Sequence, residues 1–374
     1  MTAPAARAQP VRWRVGAVLL RRRRVIAAVL AGLVGLLTRT VTPDLADFAD
    51  QAVLMLHGDL GAVYAGAWNQ AGPAQLLASL LLSIGGTPDG AVAAPLVVVL
   101  NAGFVLVAMV LCGRLTPGSP APLTRTRRAV RPGEQSKREV FAGLLALLWL
   151  EAPLPWNGHP AELWIPVLWA YAMVLRRSDR ALAAAAALAL AVAIAPWAVL
   201  GLPCLLAAAP LARAAGTGLL AAVLGAACYL PFVLTGHFEM FALRWSASGD
   251  TLAGLAGIGE VTWWVRLAQG VVVAGGVGLI ARWLRADPLA AGVVPLAATL
   301  LRIVTDPVSH QYYWYPVAVS SLLLFALVPA DGPRGRLIGV AVLGYLTLVA
   351  ESANLTVPGP LVCLTVLLVV VRAV

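Results

Sequence analysis

Long apolar runs alternate with short polar or basic breaks along almost the whole chain. The runs cover residues 25–41, 91–112, 139–153, 163–175, 181–195, 199–211, 218–234, 268–284, 289–304, 313–328, 337–350 and 360–371. Apolar length and punctuation make each a predicted helix, with Pro196 dividing an alanine-rich pair. Several are short for a hydrocarbon core of about 30 Å, which takes about 20 helical residues. Those are expected as half-helices buried among neighbours, so the count is eleven to thirteen.

Composition turns helices into membrane spans. Of the 374 residues 60% are hydrophobic and 12% charged, with a mean hydropathy of +0.86. A soluble protein of this size could not hide that much apolar surface, whereas a bilayer accommodates it. The expected class is an all-α integral membrane protein, a polytopic bundle with amphipathic helices on an outer-face loop. The net charge of +10 raises nucleic acid as a partner. The basic residues fall in short runs between apolar stretches, however, so no nucleic acid is expected. The N-terminus resembles a signal peptide, but similar segments recur throughout, so 25–41 is expected as a retained first span. Residues 1–24 then form a basic cytoplasmic N-terminus and 25–374 a single membrane domain. Cys112, Cys204, Cys228 and Cys363 lie singly in apolar segments and suggest packing, not disulfides or metal.

Arginine placement orients the map. With the N-terminus inside, 23 of the 27 basic residues fall on the cytoplasmic side, as the positive-inside pattern requires. Loops 42–90 and 235–266 are then outside, loop 113–138 is inside, and both termini are cytoplasmic. The leucine-rich run 74–84 would reverse the basic loop 113–138 if it crossed. It is therefore expected as an interfacial or re-entrant outer helix.

The outer face collects chemistry. All four histidines and 12 of the 17 acidic residues map there, with four exceptional arginines, Arg39, Arg244, Arg266 and Arg302. Carboxylates, imidazoles and isolated arginines together suit acid–base chemistry on an anionic substrate.

Three stretches stand out. Thr42-Pro43-Asp44-Leu45-Ala46-Asp47-Phe48-Ala49-Asp50 reads as a capped helix start with proline at its first position. Its aspartates, three apart, are expected on one face, where the helix N-terminus favours ionisation and mutual repulsion opposes it. A solvated interfacial helix start gives the same spacing. In the stretch from Arg302 to Pro316, a span ends, turns through Asp306-Pro307 and re-enters through Tyr312, Tyr313, Trp314 and Tyr315. Arg302 violates the charge rule and needs a partner, either a lipid phosphate that His310 also meets, or Asp306. The turn Trp156-Asn157-Gly158-His159-Pro160-Ala161-Glu162 carries groups suited to holding a sugar.

These residues together resemble the GT-C superfamily of membrane glycosyltransferases, especially its actinobacterial polyprenol-phosphate-mannose-dependent branch. Asp44-Leu45-Ala46-Asp47-Phe48 is similar to the family's Asp-Leu-x-x-aromatic start after the first span. Gly58-Asp59-Leu60-Gly61-Ala62-Val63-Tyr64 and Gly72-Pro73 are similar to the signals that follow. Asp306-Pro307-Val308-Ser309-His310 is similar to a histidine-bearing turn before a late span. Two features depart: the proline pair is reduced to Gly72-Pro73, and Ala195-Pro196-Trp197 stands where relatives often keep a basic residue. The single lysine, Lys137, among so many arginines fits a GC-rich bacterial genome.

The resemblance implies an inverting glycosyltransferase in a bacterial cell membrane. The donor is a polyprenyl-phosphate-linked sugar, mannose-like or arabinose-like, and the acceptor a glycolipid or glycan hydroxyl on the extracytoplasmic face. Asp44 or Asp47 is the expected base. Arg302, His310 and Arg266 are expected at the donor phosphate, and Trp156, His159, Glu162, Tyr312, Tyr313 and Asp306 at the substrate. No cofactor is expected, although Asp44, Asp47 and Asp50 leave a divalent metal open. Rival readings are a lipid or sugar transporter or flippase, and a non-catalytic assembly partner.

Overall fold

The computed structural model describes residues 11–39, 42–114, 132–150, 158–242, 245–328 and 334–372. Those residues are all-α; apart from one isolated bridge between Ser246 and Glu260, they hold no β-structure.

Sixteen α-helices occur among the described residues. They are α1 (Val11–Leu37), α2 (Pro43–Leu56), α3 (Leu60–Val63), α4 (Pro73–Ser83), α5 (Ala94–Arg114), α6 (Pro132–Trp149), α7 (Trp164–Arg177) and α8 (Ala181–Ile194). There follow α9 (Leu211–Ala227), α10 (Leu230–Leu234), α11 (Leu252–Leu255), α12 (Trp263–Trp283), α13 (Ala290–Thr305), α14 (Trp314–Leu327), α15 (Arg334–Ser352) and α16 (Pro358–Arg372). Three 3₁₀ stretches join them: Pro160–Leu163, Pro196–Ala207 and Gln311–Tyr313.

Every predicted apolar run is helical, with some boundaries moved. Helix α1 begins at Val11 and takes in Arg21 to Arg24, so the basic N-terminal stretch is not separate from the first helix. The expected span 199–211 is a 3₁₀ stretch from Pro196 to Ala207, and α9 starts at Leu211, not residue 218. Prolines at 196 and 203 withhold backbone donors there, which disfavours a regular α-helix. Helix α12 starts at Trp263, so Arg266 sits in its first turn and not in the preceding loop; Thr262 caps it by accepting from Val265 N–H.

Helix α13 is the centre of the bundle. Residues Ala290 to Leu300 are buried without a break, because small side chains let α7, α12, α14 and α16 close around it. Gly292 lies against the Leu324 backbone with no room for a Cβ. Helices α1, α5 and α6 pack on one another beside this group, and α2 packs on α4. The latter pair is pinned to the bundle by Gly72 N–H donating to Ile194 O (2.9 Å).

Charges divide the two ends. At one end Glu139 meets Arg23 (2.8 Å) and Arg24 (2.5 Å). The neighbouring Arg138 is buried and donates to the carbonyls of Cys112 (2.9 Å), Val328 (2.8 Å), Phe325 (3.0 Å) and Ala326 (3.1 Å). A guanidinium thus satisfies the last carbonyls of α5 and α14 together, where the helix dipoles favour a cation. Replacing Arg138 by Met strands those acceptors. Loss of buried hydrogen bonds to a charged group predicts destabilisation of about 3 kcal/mol, read as a lower thermal midpoint of the purified protein.

Candidate functional site

The opposite end carries the site, and its parts come from distant segments. The turn at 158–162 is shaped by Gly158, whose φ of +75° suits glycine, and whose missing Cβ leaves room for Asp44. The fully buried Gln75 of α4 grips this turn: its Nε2 donates to Gly158 O (3.3 Å) and its Oε1 accepts from Ala161 N–H (2.8 Å). His159 is thereby held between α2 and the 3₁₀ turn that follows.

From His159 a chain of alternating charges runs into the bundle. Its Nε2 lies 3.6 Å from Asp44 Oδ2, an ion-pair distance, and its Nδ1 lies 3.1 Å from Glu162 Oε1. Glu162 Oε2 accepts from Arg302 Nη1 (3.2 Å) and from Trp197 Nε1 (3.1 Å). Arg302 Nε sits 3.8 Å from Asp306 Oδ2. Asp306 closes the series, its Oδ1 accepting from Arg266 Nη1 (3.0 Å) and its Oδ2 from Gln269 Nε2 (3.0 Å). With His159 protonated, the six groups alternate in sign from Asp44 to Arg266.

Aromatic rings seal this chain. The Arg302 guanidinium lies 3.8 Å from the Trp197 ring centre and 4.1 Å from that of Tyr313. Cation–π attraction of this kind grows when water is excluded, and Arg302 is buried. Tyr312 stacks on His159 (3.8 Å) and on His310 (5.2 Å).

Protonation follows from these contacts. Burial alone would pull His159 down, but Asp44 and Glu162 outweigh it and raise its pKa above the ordinary 6.5. Burial likewise opposes ionisation of Glu162, yet Arg302 and His159 hold its pKa low. The imidazole of His159 lowers Asp44 below its ordinary 3.8 despite partial burial. Asp47 moves the other way, raised by burial and by Asp44 and Asp50. His310 is lowered by burial and by the charge on His159, so it favours the neutral ring.

Most of the expected site residues meet here: Asp44, His159, Glu162, Arg266, Arg302, Asp306, His310, Tyr312 and Tyr313. Two expectations change, those for Arg302 and for the Thr42 cap. Arg302 is buried between two carboxylates and two rings, so it is not an open phosphate contact; its reach is spent on Glu162 and Asp306. The aspartates of α2 share its exposed face, as expected, but differ in their partners. Asp44 reaches His159, Asp50 lines a cavity of about 270 Å³ with Ser83 and Thr87, and Asp47 is exposed with no counter-ion among the described residues. Thr42 occupies the N-cap position, but its side chain does not cap α2 and donates instead to Gly90 O (3.4 Å). Trp156 and Asn157 lie outside the described residues. Among the described residues no three His, Cys, Asp or Glu side chains converge as a metal site would need.

Sequence reasoning missed Gln75, Gln269 and Trp197. Each glutamine is the one amide side chain of a largely apolar helix, and that is the signal the sequence offers.

The Asp44–His159 pair sets a pH window. A raised histidine contributes fully below pH 6.5, and its contribution is lost as pH climbs through the folded value. A depressed aspartate contributes fully above 3.8, and its contribution is lost as pH falls through the folded value. The stability difference between the wild type and Asp44→Asn should therefore peak between those limits and shrink on either side. Thermal midpoints measured across pH test this, and a difference independent of pH would refute the pairing. No protein-family model, curated protein or solved structure matches this chain, so the meaning of the cluster rests on its geometry.

Proposed function

We propose that the chain spans a membrane many times and transfers a sugar from a polyprenyl-phosphate donor to an acceptor hydroxyl on the outer face. Support for the membrane comes first from surface chemistry. Large apolar side chains stand in the open around the bundle, among them Leu37 (85% exposed), Trp264 (79%), Leu279 (72%) and Leu182 (69%). Water would penalise such a surface, whereas lipid tails do not. Ala94–Gly113 and Trp263–Trp283 are each long and apolar enough to cross alone, and seven further apolar helices are shorter. The shorter α8, α13 and α14 are largely buried by other helices, so they need not match the bilayer thickness themselves. Arg23, Arg24 and Arg138 gather at one end and the carboxylate-rich cluster at the other, as the positive-inside rule orders them.

The observation that carries the reaction is the position of Asp44. It is the half-exposed end of an ionic chain whose middle members are buried, with its carboxylate open to an incoming group on one side and steadied by His159 on the other. In the proposed step Asp44 takes the proton of the acceptor hydroxyl. That oxygen bonds to the anomeric carbon as the bond from carbon to phosphate oxygen breaks, inverting the centre, and the electron pair leaves with polyprenyl phosphate. Arg266, partly exposed at the start of α12, and exposed His310 are the groups available to the leaving phosphate. Arg302 acts behind them by holding Glu162 and Asp306. This order of parts agrees with the GT-C resemblance of the sequence.

Labelled polyprenyl-phosphate sugars incubated with purified protein, scored for transfer and for flipping, test the proposal. Asp44→Asn should lower transfer by about 10²–10⁴, the usual share of a general base, with cooperative unfolding retained and its midpoint lowered only by the loss of the His159 pairing. Asp47→Asn should leave the rate near that of the wild type. Undiminished transfer by the Asp44 variant, or flipping without transfer, would end the proposal.

A further inference from the structure

A tryptophan outside the charged cluster has the geometry of a sugar-binding surface. Between α3 and α4 the chain turns through residues 66–69, with Asn69 N–H donating to Gly66 O (3.3 Å). The Asn69 amide is wholly buried; its Nδ2 donates to Val63 O (3.0 Å) and its Oδ1 accepts from Ala71 N–H (3.3 Å). This locks the turn. Trp68, within it, remains 43% exposed.

The indole is fixed from two sides. A Cβ on Gly66 would come within 2.7 Å of its Cδ1 and Nε1, so glycine leaves room for the pyrrole edge of the ring. Phe48 stacks on it with ring centres 5.9 Å apart and planes 11° from parallel. An aromatic residue that only anchors a protein at a bilayer surface has no need of a set ring orientation. A flat surface for a sugar ring does, because the C–H groups of the sugar must meet the negative face of the indole.

Trp68 also begins a series of rings that ends at the proposed phosphate side. Phe48 meets His159 edge-on (5.1 Å), His159 stacks on Tyr312, and Tyr312 stacks on His310. The middle ring, His159, is the one that Asp44 faces. In an inverting displacement the acceptor approaches from the side opposite the leaving group. With His310 at one end of the series and Asp44 at its middle, the other end is where the acceptor belongs.

We propose that Trp68 is the stacking platform for a neutral sugar ring of the acceptor glycan, next to the hydroxyl that Asp44 deprotonates. The inference rests on the sugar-transfer reading, and its test separates the two. Protein carrying Asp44→Asn and labelled with fluorotryptophan is titrated with neutral mannose and arabinose oligosaccharides. Trp68, one of twelve indoles, is assigned by its loss in Trp68→Phe. Its fluorine resonance should shift saturably with one of the oligosaccharides. In the active protein Trp68→Ala should raise the acceptor KM about tenfold with kcat unchanged, and Trp68→Phe should recover part of the loss. Active transfer with an unmoved Trp68 resonance and an unchanged KM in Trp68→Ala overturns the platform and leaves the transfer reading standing. A saturable Trp68 shift in a protein that transfers from no donor supports the platform and removes the transfer reading. Quenching of Trp68 by brominated lipid with no response to any oligosaccharide makes it a membrane anchor and overturns the inference.

Discussion

A buried guanidinium sets the terms for one whole end of this molecule. Arg302 is buried, and an unpaired buried charge costs several kcal/mol, so the fold must bring opposite charges to it. Glu162 and Asp306 meet its edges, and Trp197 and Tyr313 meet its two faces. Those partners belong to the 3₁₀ turn before α7, the end of α13, the start of the 3₁₀ stretch after α8, and the turn before α14. One side chain therefore ties the packing register of four regions together. A slide of α13 along its neighbours would break two ion pairs and two ring contacts at once.

Charge alternation extends that constraint outward to the solvent. Asp44 and Glu162 both favour the protonated ring of His159, and that ring in turn selects one of three aspartates. Helix spacing does not distinguish Asp44 from Asp47 or Asp50. The selection comes from Gly158, which lets the turn approach Asp44 closely enough for His159 to face it. Asp47, one helical turn on, has only other carboxylates for electrostatic company and is raised where Asp44 is lowered. The same helix thus presents two aspartates of opposite character.

The sequence disclosed the helices well because their apolar runs are long and their breaks are polar or proline-rich. It failed at 199–211, where hydrophobicity is as high as in the α-helices and only Pro196 and Pro203 hint that the backbone tightens into a 3₁₀ form. Arg266 precedes the apolar run at 268–284 and so reads as loop, whereas Thr262 already caps α12. The charged members of the site were legible as exceptions to the arginine rule and as acidic clusters. Their pairing was not, since Glu162 and Arg302 are 140 positions apart and no local pattern links them. The uncharged members escaped for a different reason. Gln75, Gln269 and Trp197 act by orienting charged neighbours, and orientation is a property of the folded arrangement.

The two ends of the bundle also bear on transfer as against transport. A transporter must open its charged site to each side in turn, which calls for broken helices or loosely packed seams near the middle of the membrane. Here α13, the helix that carries Arg302, is enclosed continuously from Ala290 to Leu300. Below the site, Gly292 is packed on the Leu324 backbone, and Arg138 ties the ends of α5 and α14 together through four carbonyls. A headgroup passing through would have to undo these contacts and carry its charge through the most densely buried helix. Approach to Asp44 from its exposed side needs none of that. On the proposed reading the site is reached from one face, and the bundle beneath holds the charges still.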